Sequence, residues 1–397
     1  MPGVRDSATI AARMATVGSH VLGERLRRKS PDLPPGAIPP GADALTPAWL
    51  SGLLCRGVEG AEVTDVEITG RTSGTSSRAA LRVGYNDAGT AAALPTNLFA
   101  KSTTSWKQRL LLGLGDMIQR ETLFFNHVRP LVDFEAPTGY YAGYDERTWR
   151  SLCLMDDVAV TRGATFLKAT SRVSGEAMDG LLTTLATLHG TFWQSPAFER
   201  ELAFLTTPRH FKAKISALIG MRERSLAGAR RAKTLIPEKL SGRQDDLWEA
   251  YGRSFELLSE PPHTVLHGDS HIANTYMTAR GEMGFADWQV TSKGGWAYDV
   301  AYTMTTGLTI EDRRAWERDL IGSYIKRLAQ SGGPTLDFDD AWLSYRRAVP
   351  HAYFAWVFAL GQSRLQPAMQ PASTSRVMIA RTSQALADLA TLAALGL

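Results

Sequence analysis

The sequence predicts an α+β protein with a small sheet-rich front part and a larger helical back part. In residues 61–104, three segments carry alternating or β-branched apolar residues, and Gly, Ser, Asn and Asp turns separate them. This pattern is typical of an antiparallel meander. After Asp157 the apolar residues recur at helical spacing instead, as in residues 175–193. The change of pattern indicates a boundary near Met155.

The N-terminal region contains a break. Residues 31–41 are rich in Pro and Gly, and Pro removes a backbone donor, so this stretch separates a short amphipathic leader from the body. Thr46 followed by Pro47 is typical of a capped helix start. The predicted division is a leader and linker over 1–45, a sheet-rich part over 46–155, and a helical part over 156–397.

The remaining elements follow from the same patterns. We expect one helix from about Leu110 to Val128, with Pro130 and Pro137 marking its exit. Strands at 138–144 and 149–155 then complete a small antiparallel sheet. Apolar periodicity predicts further helices in three later segments, at 209–243, 340–361 and 376–395.

Composition excludes several classes of protein. Of the 397 residues, 21% are charged and 44% are hydrophobic, which is ordinary globular usage. The net charge of +4 is divided evenly along the chain, so no strongly basic nucleic-acid-binding domain is expected. Cys55 and Cys153 are isolated, which excludes a disulfide framework. Because no apolar run approaches a signal-peptide core or a membrane span, we expect a cytoplasmic protein with no stable membrane insertion.

The most informative segment is HGDSHIAN, residues 267–274, followed by ADWQ, residues 286–289. Asp269 and Asn274 are five positions apart, and Asp287 lies thirteen positions further on, across a probable hairpin of TYMT and GFAD. Such spacing lets three oxygen-bearing side chains converge on one point. Amide and carboxylate oxygens are ligands that Mg²⁺ accepts. Phosphoryl transfer needs Mg²⁺ to neutralise charge and a separate carboxylate to take the proton of the acceptor.

Together with DVAY at residues 299–302, these motifs closely resemble the aminoglycoside phosphotransferase and choline kinase-like superfamily. The resemblance is strongest to its ecdysteroid-kinase-like branch, which includes uncharacterised bacterial small-molecule phosphotransferases, and it covers roughly residues 60–310. It implies a bilobal protein-kinase-like fold. Residues 46–155 would then form a nucleotide-binding N-lobe, with one key helix beside its small antiparallel sheet, and residues 156–397 a helical catalytic and substrate-binding C-lobe. It also implies ATP and Mg²⁺ as cofactors, and transfer of phosphate to a hydroxyl of a small molecule.

The resemblance also assigns roles to individual residues. Asp269 would be the catalytic base, and Asn274 and Asp287 would hold the metal. Lys101, at the end of an apolar strand, would bind the nucleotide phosphates. Glu121, twenty positions further on, would pair with that lysine.

Two further segments would contact the nucleotide. The glycine- and hydroxyl-rich turn at residues 70–77 would cover the phosphates, with Ser73 and Thr75 as the candidate side chains. This turn departs from a full G-x-G-x-x-G pattern. The segment CLMDDV matches the kinase hinge, where backbone groups around Met155 and Asp157 would meet the adenine edge.

Several residues would support the catalytic loop. His267 is expected to brace the loop by hydrogen bonds. His271 would either organise the loop or contact substrate or phosphate. Asp299 would cap a helix and orient the catalytic loop. His189, on an amphipathic helix face, is expected to be a core or surface residue.

The acceptor site is less defined by the sequence. Trp296, His351, Tyr353 and Trp356 either pack in the core or line an apolar acceptor pocket. Residues 209–243 carry ten Lys or Arg against two Glu, and this stretch is either a solvated helical face or a contact for an acidic substrate, a membrane or a partner.

The sequence therefore predicts a kinase that phosphorylates a neutral or acidic, partly apolar alcohol, with no nucleic-acid partner. A catalytically silent kinase-like binding module is one alternative, and an aminoglycoside-type antibiotic phosphotransferase is another. A true protein kinase is disfavoured, because HGDxH replaces HRD and no A-P-E segment follows Asp287. The choice between ATP and GTP and the oligomeric state stay open.

Overall fold

The computed structural model describes residues 4–26, 37–362 and 370–397. The chain divides into two compact units. The first comprises residues 1–131 and 137–164, and the second comprises residues 132–136 and 165–397. Most of the Pro-rich linker predicted at 31–41 lies outside the described residues.

The first unit contains a five-stranded antiparallel sheet of order β1-β2-β3-β5-β4. Its first three strands are the predicted meander, and the two later strands complete the sheet as expected. The α+β class is confirmed. The strands are β1 (Val63–Ser73), β2 (Ser77–Tyr85), β3 (Asn97–Ser102), β4 (Gly139–Asp145) and β5 (Arg150–Asp156).

In the described part of the first unit, six α-helices accompany this sheet. The start predicted at Thr46 and Pro47 is confirmed, because the Thr46 hydroxyl accepts the N–H of Trp49. The helices are α1 (Val4–Leu26), α2 (Pro47–Leu54), α3 (Asp87–Ala91), α4 (Trp106–Leu114), α5 (Arg120–Leu123) and α6 (Val158–Thr161).

The single helix predicted from Leu110 to Val128 is wrong. Helix α4 ends at Gly115, and Asp116 takes a left-handed conformation with φ of 54°. The chain resumes as α5 and a π-helical turn at Phe124–Val128. The apolar positions keep a helical spacing across the break, so periodicity alone does not reveal it.

Helix α1 packs against α4 in the first unit. Its Val17 and Val21 are buried in a cluster with Ile118 and Trp149. At its C-terminal end the Glu24 carboxylate forms an ion pair with Arg109 of α4 and with Arg150 of β5. Burial opposes ionisation of Glu24, but hydrogen bonds and charge from the two arginines lower its pKa.

The second unit is mainly helical and contains short strands. Its strands are β6 (Thr165–Phe166), β7 (Thr264–Leu266), β8 (Thr275–Met277), β9 (Met283–Phe285) and β10 (Ser292–Gly294). Its α-helices are α7 (Gly175–Thr191), α8 (Pro208–Ile219), α9 (Met221–Arg231), α10 (Gln244–Ser259), α11 (Ala297–Gly307), α12 (Ile310–Gln330), α13 (Phe338–Leu360), α14 (Ala372–Asp388) and α15 (Thr391–Ala394). Strands β8 and β9 form the hairpin predicted from TYMT and GFAD.

The basic segment at 209–243 is not one helix. Gly220 adopts a left-handed conformation between α8 and α9, and after Arg231 the segment contains only short 3₁₀ turns. Some of its cationic side chains lie over aromatic rings of the same unit. The Lys212 ammonium lies 4.4 Å from the centroid of Tyr251, and the Arg224 guanidinium lies 4.0 Å from that of Phe358. The segment is therefore not simply a solvated basic face.

Among the described residues, none of the helices has both the length and the apolar character that a bilayer crossing requires.

Candidate active site

The catalytic-loop motif lies between β7 and the β8–β9 hairpin. The last ladder pair of the hairpin joins Thr275 to Phe285, and one step further the N–H of Ala286 donates to the carbonyl of Asn274 at 2.8 Å. Asn274 and Asp287 therefore flank the open end of one hairpin. This arrangement brings the two predicted metal ligands together.

Asn274 is also hydrogen-bonded to Asp269. Its Nδ2 donates to the backbone carbonyl of Asp269 at 2.9 Å and to Oδ2 of the carboxylate at 3.1 Å. The Asp269 side chain is 32% exposed, so its carboxylate is accessible to a ligand. Because the amide NH₂ of Asn274 binds Asp269, its carbonyl oxygen is the atom left to face a cation.

The donor set fits Mg²⁺. An amide oxygen from Asn274 and a carboxylate from Asp287 are hard ligands, and Mg²⁺ commonly takes one or two protein oxygens and completes its shell with water and phosphate. Across the described ranges, no cluster of three or more His, Cys, Asp or Glu side chains is arranged to hold a metal.

Asp287 has an unusual backbone. Its φ is 65°, in the left-handed region that few residues other than Gly adopt, although Asp tolerates it better than most. Such conformations cost free energy and concentrate at functional sites. The conformation sets the direction of the carboxylate immediately after β9.

A fully buried carboxylate holds the start of the loop. Asp299 accepts the N–H of His267 at 2.6 Å and the N–H of Gly268 at 3.0 Å. Burial opposes its ionisation, but the hydrogen bond from His189 and the hydrogen bond from the Gly268 N–H help to keep its pKa below the ordinary value. The expectation that Asp299 caps its own helix is wrong. Both oxygens bind the loop, and no side chain caps α11.

Sequence reasoning missed the role of His189. Its Nε2 lies 3.3 Å from Asp299 Oδ2, and its Nδ1 lies 2.8 Å from the hydroxyl of Tyr324. Trp296, a predicted acceptor residue, stacks on Tyr324 with ring centroids 4.9 Å apart. A lone histidine on an apolar helix face gives no sequence signal for such a contact.

His267 braces the loop from the other side. Its Nδ1 accepts the N–H of Asp269 at 3.2 Å, and its Nε2 faces the carbonyl of Ala286 at 3.1 Å. Burial lowers the pKa of this imidazole, so the ring is neutral. Gly268 between them has φ of 84°, and a Cβ there would lie 2.1 Å from the carbonyl oxygen of Val290. Only glycine fits this position.

The other three candidate acceptor residues lie on α13. The Trp356 ring meets His271 edge-on, with centroids 5.1 Å apart, and His351 stacks on Tyr298 at 3.9 Å. Burial lowers the pKa of His351 to about 3, so this ring is also neutral. Tyr353 is buried against its neighbour on the helix. Trp356 therefore adjoins the catalytic loop, whereas Tyr353 packs in the core.

The first unit holds the predicted lysine and glutamate as an ion pair. Lys101 Nζ, on β3, lies 2.9 Å from Oε1 and 2.8 Å from Oε2 of Glu121, on α5. The side chains are 7% and 10% exposed. Such a pair fixes the position of the ammonium group, because opposite charges attract more strongly where solvent is excluded.

The turn predicted to cover phosphates is tied down by a residue that sequence reasoning missed. Gln108 Nε2 donates to Ser73 Oγ at 3.3 Å and to the carbonyl of Gly74 at 3.2 Å. Gln108 also closes a capping box with Ser105 at the start of α4. Thr75, at the tip of the turn, is half-buried. The Ser-x-x-Gln spacing was the available signal.

Both hinge candidates are engaged in the sheet. Met155 lies in β5, opposite Phe99 of β3 on one side and Gly139 of β4 on the other. The N–H of Asp157 donates to Asn97 at 3.1 Å, and its carbonyl accepts the N–H of Thr161 at 2.8 Å. Asp157 also caps α6 with its side chain. Its backbone groups are therefore already bonded within the chain, which disfavours an adenine contact at this residue.

A model of one protein family matches a long range of the chain. The model of the phosphotransferase enzyme family APH matches residues 116–346, more than half of the chain and a range that includes the catalytic loop and Asp299. No curated protein sequence matches the chain significantly.

Solved structures resemble the chain at low identity. An ethanolamine kinase from Plasmodium vivax is 11% identical, with a TM-score of 0.48 over 82% of this chain and 81% of that one. A choline kinase from Streptococcus pneumoniae is 12% identical, with a TM-score of 0.44 over 82% and 94%. A macrolide 2'-phosphotransferase from Brachybacterium faecium is 13% identical, with a TM-score of 0.42 over 83% and 97%. On the strength of the family match, the chain belongs to the APH phosphotransferase enzyme family.

Proposed function

We propose that this protein is an ATP- and Mg²⁺-dependent phosphotransferase that phosphorylates a hydroxyl group of a small molecule. The observation that carries the proposal is the side-chain hydrogen bond between Asn274 and Asp269 at the open end of the β8–β9 hairpin. Asp287 lies at the same end, directly after Ala286, whose N–H donates to the carbonyl of Asn274. A base and two hard metal ligands are the parts that phosphoryl transfer requires.

Each group has a distinct task in this proposal. The Asp269 carboxylate takes the proton of the acceptor hydroxyl. The oxygen of that hydroxyl bonds to the γ-phosphorus of ATP, and the bond between the γ-phosphorus and the leaving oxygen of ADP breaks. Asn274 and Asp287 hold Mg²⁺, which when bound neutralises charge on the phosphates. Lys101, fixed by Glu121, binds phosphate oxygens, and the turn with Ser73 and Thr75 covers them. The backbone near Met155 contacts the adenine.

The acceptor is proposed to be a neutral or acidic, partly apolar alcohol. Aromatic side chains surround the catalytic loop in the second unit, with Trp356 against His271 and His351 against Tyr302. Small-molecule sites are commonly lined in this way, with few polar groups. The net charge of +4 also argues against a polycationic acceptor. This argument concerns the charge of the whole chain, because Lys212 and Arg224 of the basic segment lie over aromatic rings.

Two measurements on the purified protein test the activity. In thermal unfolding, ATP with Mg²⁺ should raise Tm more than ATP with EDTA, because a ligand that binds only the folded state stabilises it. Asp269→Ala should keep this shift but lose turnover by at least about a hundredfold, the lower end for a lost general base. Asp319→Ala, an exposed carboxylate on α12, is the matched control.

The outcomes separate the candidates. No metal-dependent shift would favour a silent binding module. Near-normal turnover by Asp269→Ala would refute the assignment of the base. A screen of alcohols with ATP, with choline and gentamicin included, tests the acceptor, and efficient turnover of gentamicin would refute the proposed acceptor class.

A further inference from the structure

The two ring nitrogens of His271 do different work. Nδ1 accepts the N–H of Ala273 at 3.2 Å and so caps the short 3₁₀ turn at Ile272–Asn274. A nitrogen that accepts a hydrogen bond carries no proton, so the neutral ring carries its proton on Nε2. The backbone of the loop therefore selects the tautomer.

The protonated nitrogen faces the catalytic carboxylate. His271 Nε2 lies 3.7 Å from Asp269 Oδ2, slightly beyond a hydrogen bond. Catalytic hydrogen bonds are often long in ligand-free enzymes and shorten when substrates bind. Asn274 Nδ2 addresses the same oxygen at 3.1 Å. Two N–H groups thus converge on Oδ2.

The ring of His271 is held in place. It is almost fully buried, and it meets the rings of Tyr302 and Trp356 edge-on, with centroids 5.8 Å and 5.1 Å away. Burial, followed by the charge of Asp269, raises the pKa of Tyr302 well above its ordinary value, so that phenol stays neutral. Neutral aromatic neighbours leave the ring little freedom to turn away from Asp269.

We propose that His271 is a positioning residue whose Nε2–H, together with Asn274 Nδ2, holds the Asp269 carboxylate in one orientation while that carboxylate takes the proton of the acceptor. This inference rests on the proposed function, because it takes Asp269 as the base. It differs from a purely structural role, which would need only the cap on Ala273.

Two substitutions separate the two nitrogens. His271→Asn places an amide oxygen where Nδ1 lies and can keep the cap on Ala273, but it has no group at Nε2. His271→Gln reaches the position of Nε2 with an amide N–H and loses the cap. Both variants are compared with the wild-type protein in Tm and in hydrolysis of ATP with Mg²⁺, where water is the acceptor.

We expect His271→Asn to keep its Tm and lose roughly 10- to 100-fold in turnover, the range for one hydrogen bond to a charged group. His271→Gln should have a lower Tm, because it loses the cap on Ala273, but it should retain more turnover than His271→Asn. The proposal would be overturned if His271→Asn retained more turnover than His271→Gln, or if His271→Asn turned over ATP as fast as the wild-type protein.

A spectroscopic test does not depend on turnover. In protein labelled with ¹⁵N-histidine, the His271 signals are assigned by their absence in His271→Asn. We expect the tautomer with the proton on Nε2 and a change of the Nε2 resonance in Asp269→Asn. A ring protonated on Nδ1 would refute the positioning role, and so would an Nε2 chemical shift that is the same in the wild-type protein and in Asp269→Asn. Undiminished turnover in Asp269→Asn would instead refute the proposed function.

Discussion

The two units hold their candidate functional groups by different means. In the first unit, Lys101 and Glu121 face each other from β3 and α5 as a buried ion pair, with side chains 7% and 10% exposed. In the second unit, Asp269 is 32% exposed, and the loop that carries it is fixed through its backbone. The buried Asp299 accepts two backbone N–H groups of that loop.

The two arrangements differ in how they combine a fixed geometry with access of a ligand to the functional group. A buried ion pair keeps its geometry because opposite charges attract strongly where solvent is excluded, but both charges are desolvated. A loop held by a buried carboxylate can instead leave the candidate base, Asp269, open to ligand. We therefore expect substitutions at Asp299 to disturb folding most and substitutions at Asp269 to disturb chemistry most.

The largest effect on stability is expected for Asp299→Ala. Removal of this carboxylate leaves the N–H groups of His267 and Gly268 and the ring of His189 without their acceptor. Loss of one partner in such a buried charged network costs about 3–5 kcal/mol. Urea unfolding, with hydrogen exchange at residues 264–274, measures the change. Asp319→Ala is the control, and a loss no larger than that of the control would contradict the role given to Asp299.

A smaller effect is expected when the pair of the first unit is broken. Glu121→Gln removes a charge-assisted contact to Lys101 and should cost about 1.5–3 kcal/mol. The cost should appear as faster hydrogen exchange in β3 and α5. A double-mutant cycle with Lys101→Met isolates the interaction between the two residues. A coupling energy near zero would show that the pair does not fix the lysine.

The smallest effect is expected at Glu24, where the sign of the pH dependence is informative. Its pKa is lowered in the folded state, so its contribution is present above the unfolded pKa of about 4.3 and is lost as pH falls through the folded value. Glu24→Gln should destabilise the first unit by about 1 kcal/mol at pH 7. The difference from wild type should shrink below about pH 4. A difference independent of pH would exclude the ion pair as its cause.

The sequence was sufficient for much of the fold. Alternating apolar residues predicted β1, β2 and β3, and the turn between TYMT and GFAD predicted the hairpin that presents Asn274 and Asp287. These signals are local, because strand alternation and turn residues act over a few positions.

The contacts that sequence reasoning missed depend on packing between distant segments. His189 and Asp299 are 110 positions apart, and Gln108 lies 34 positions from the turn at Gly74. The break at Asp116 escaped because the apolar spacing continues on both sides. The backbone of Asp157 is occupied by Asn97, a pairing that depends on sheet register. The local pattern of residues in one sequence does not show which distant residues will be in contact.

Titration of ATP into wild-type, Asp287→Ala and Asp269→Ala protein, with and without Mg²⁺, tests most directly whether the hairpin end holds the metal. We predict that Mg²⁺ strengthens ATP binding to wild type and to Asp269→Ala. In Asp287→Ala this gain should fall by about tenfold or more, equivalent to roughly 1.4 kcal/mol. An equal gain in all three proteins would contradict a metal site at Asn274 and Asp287.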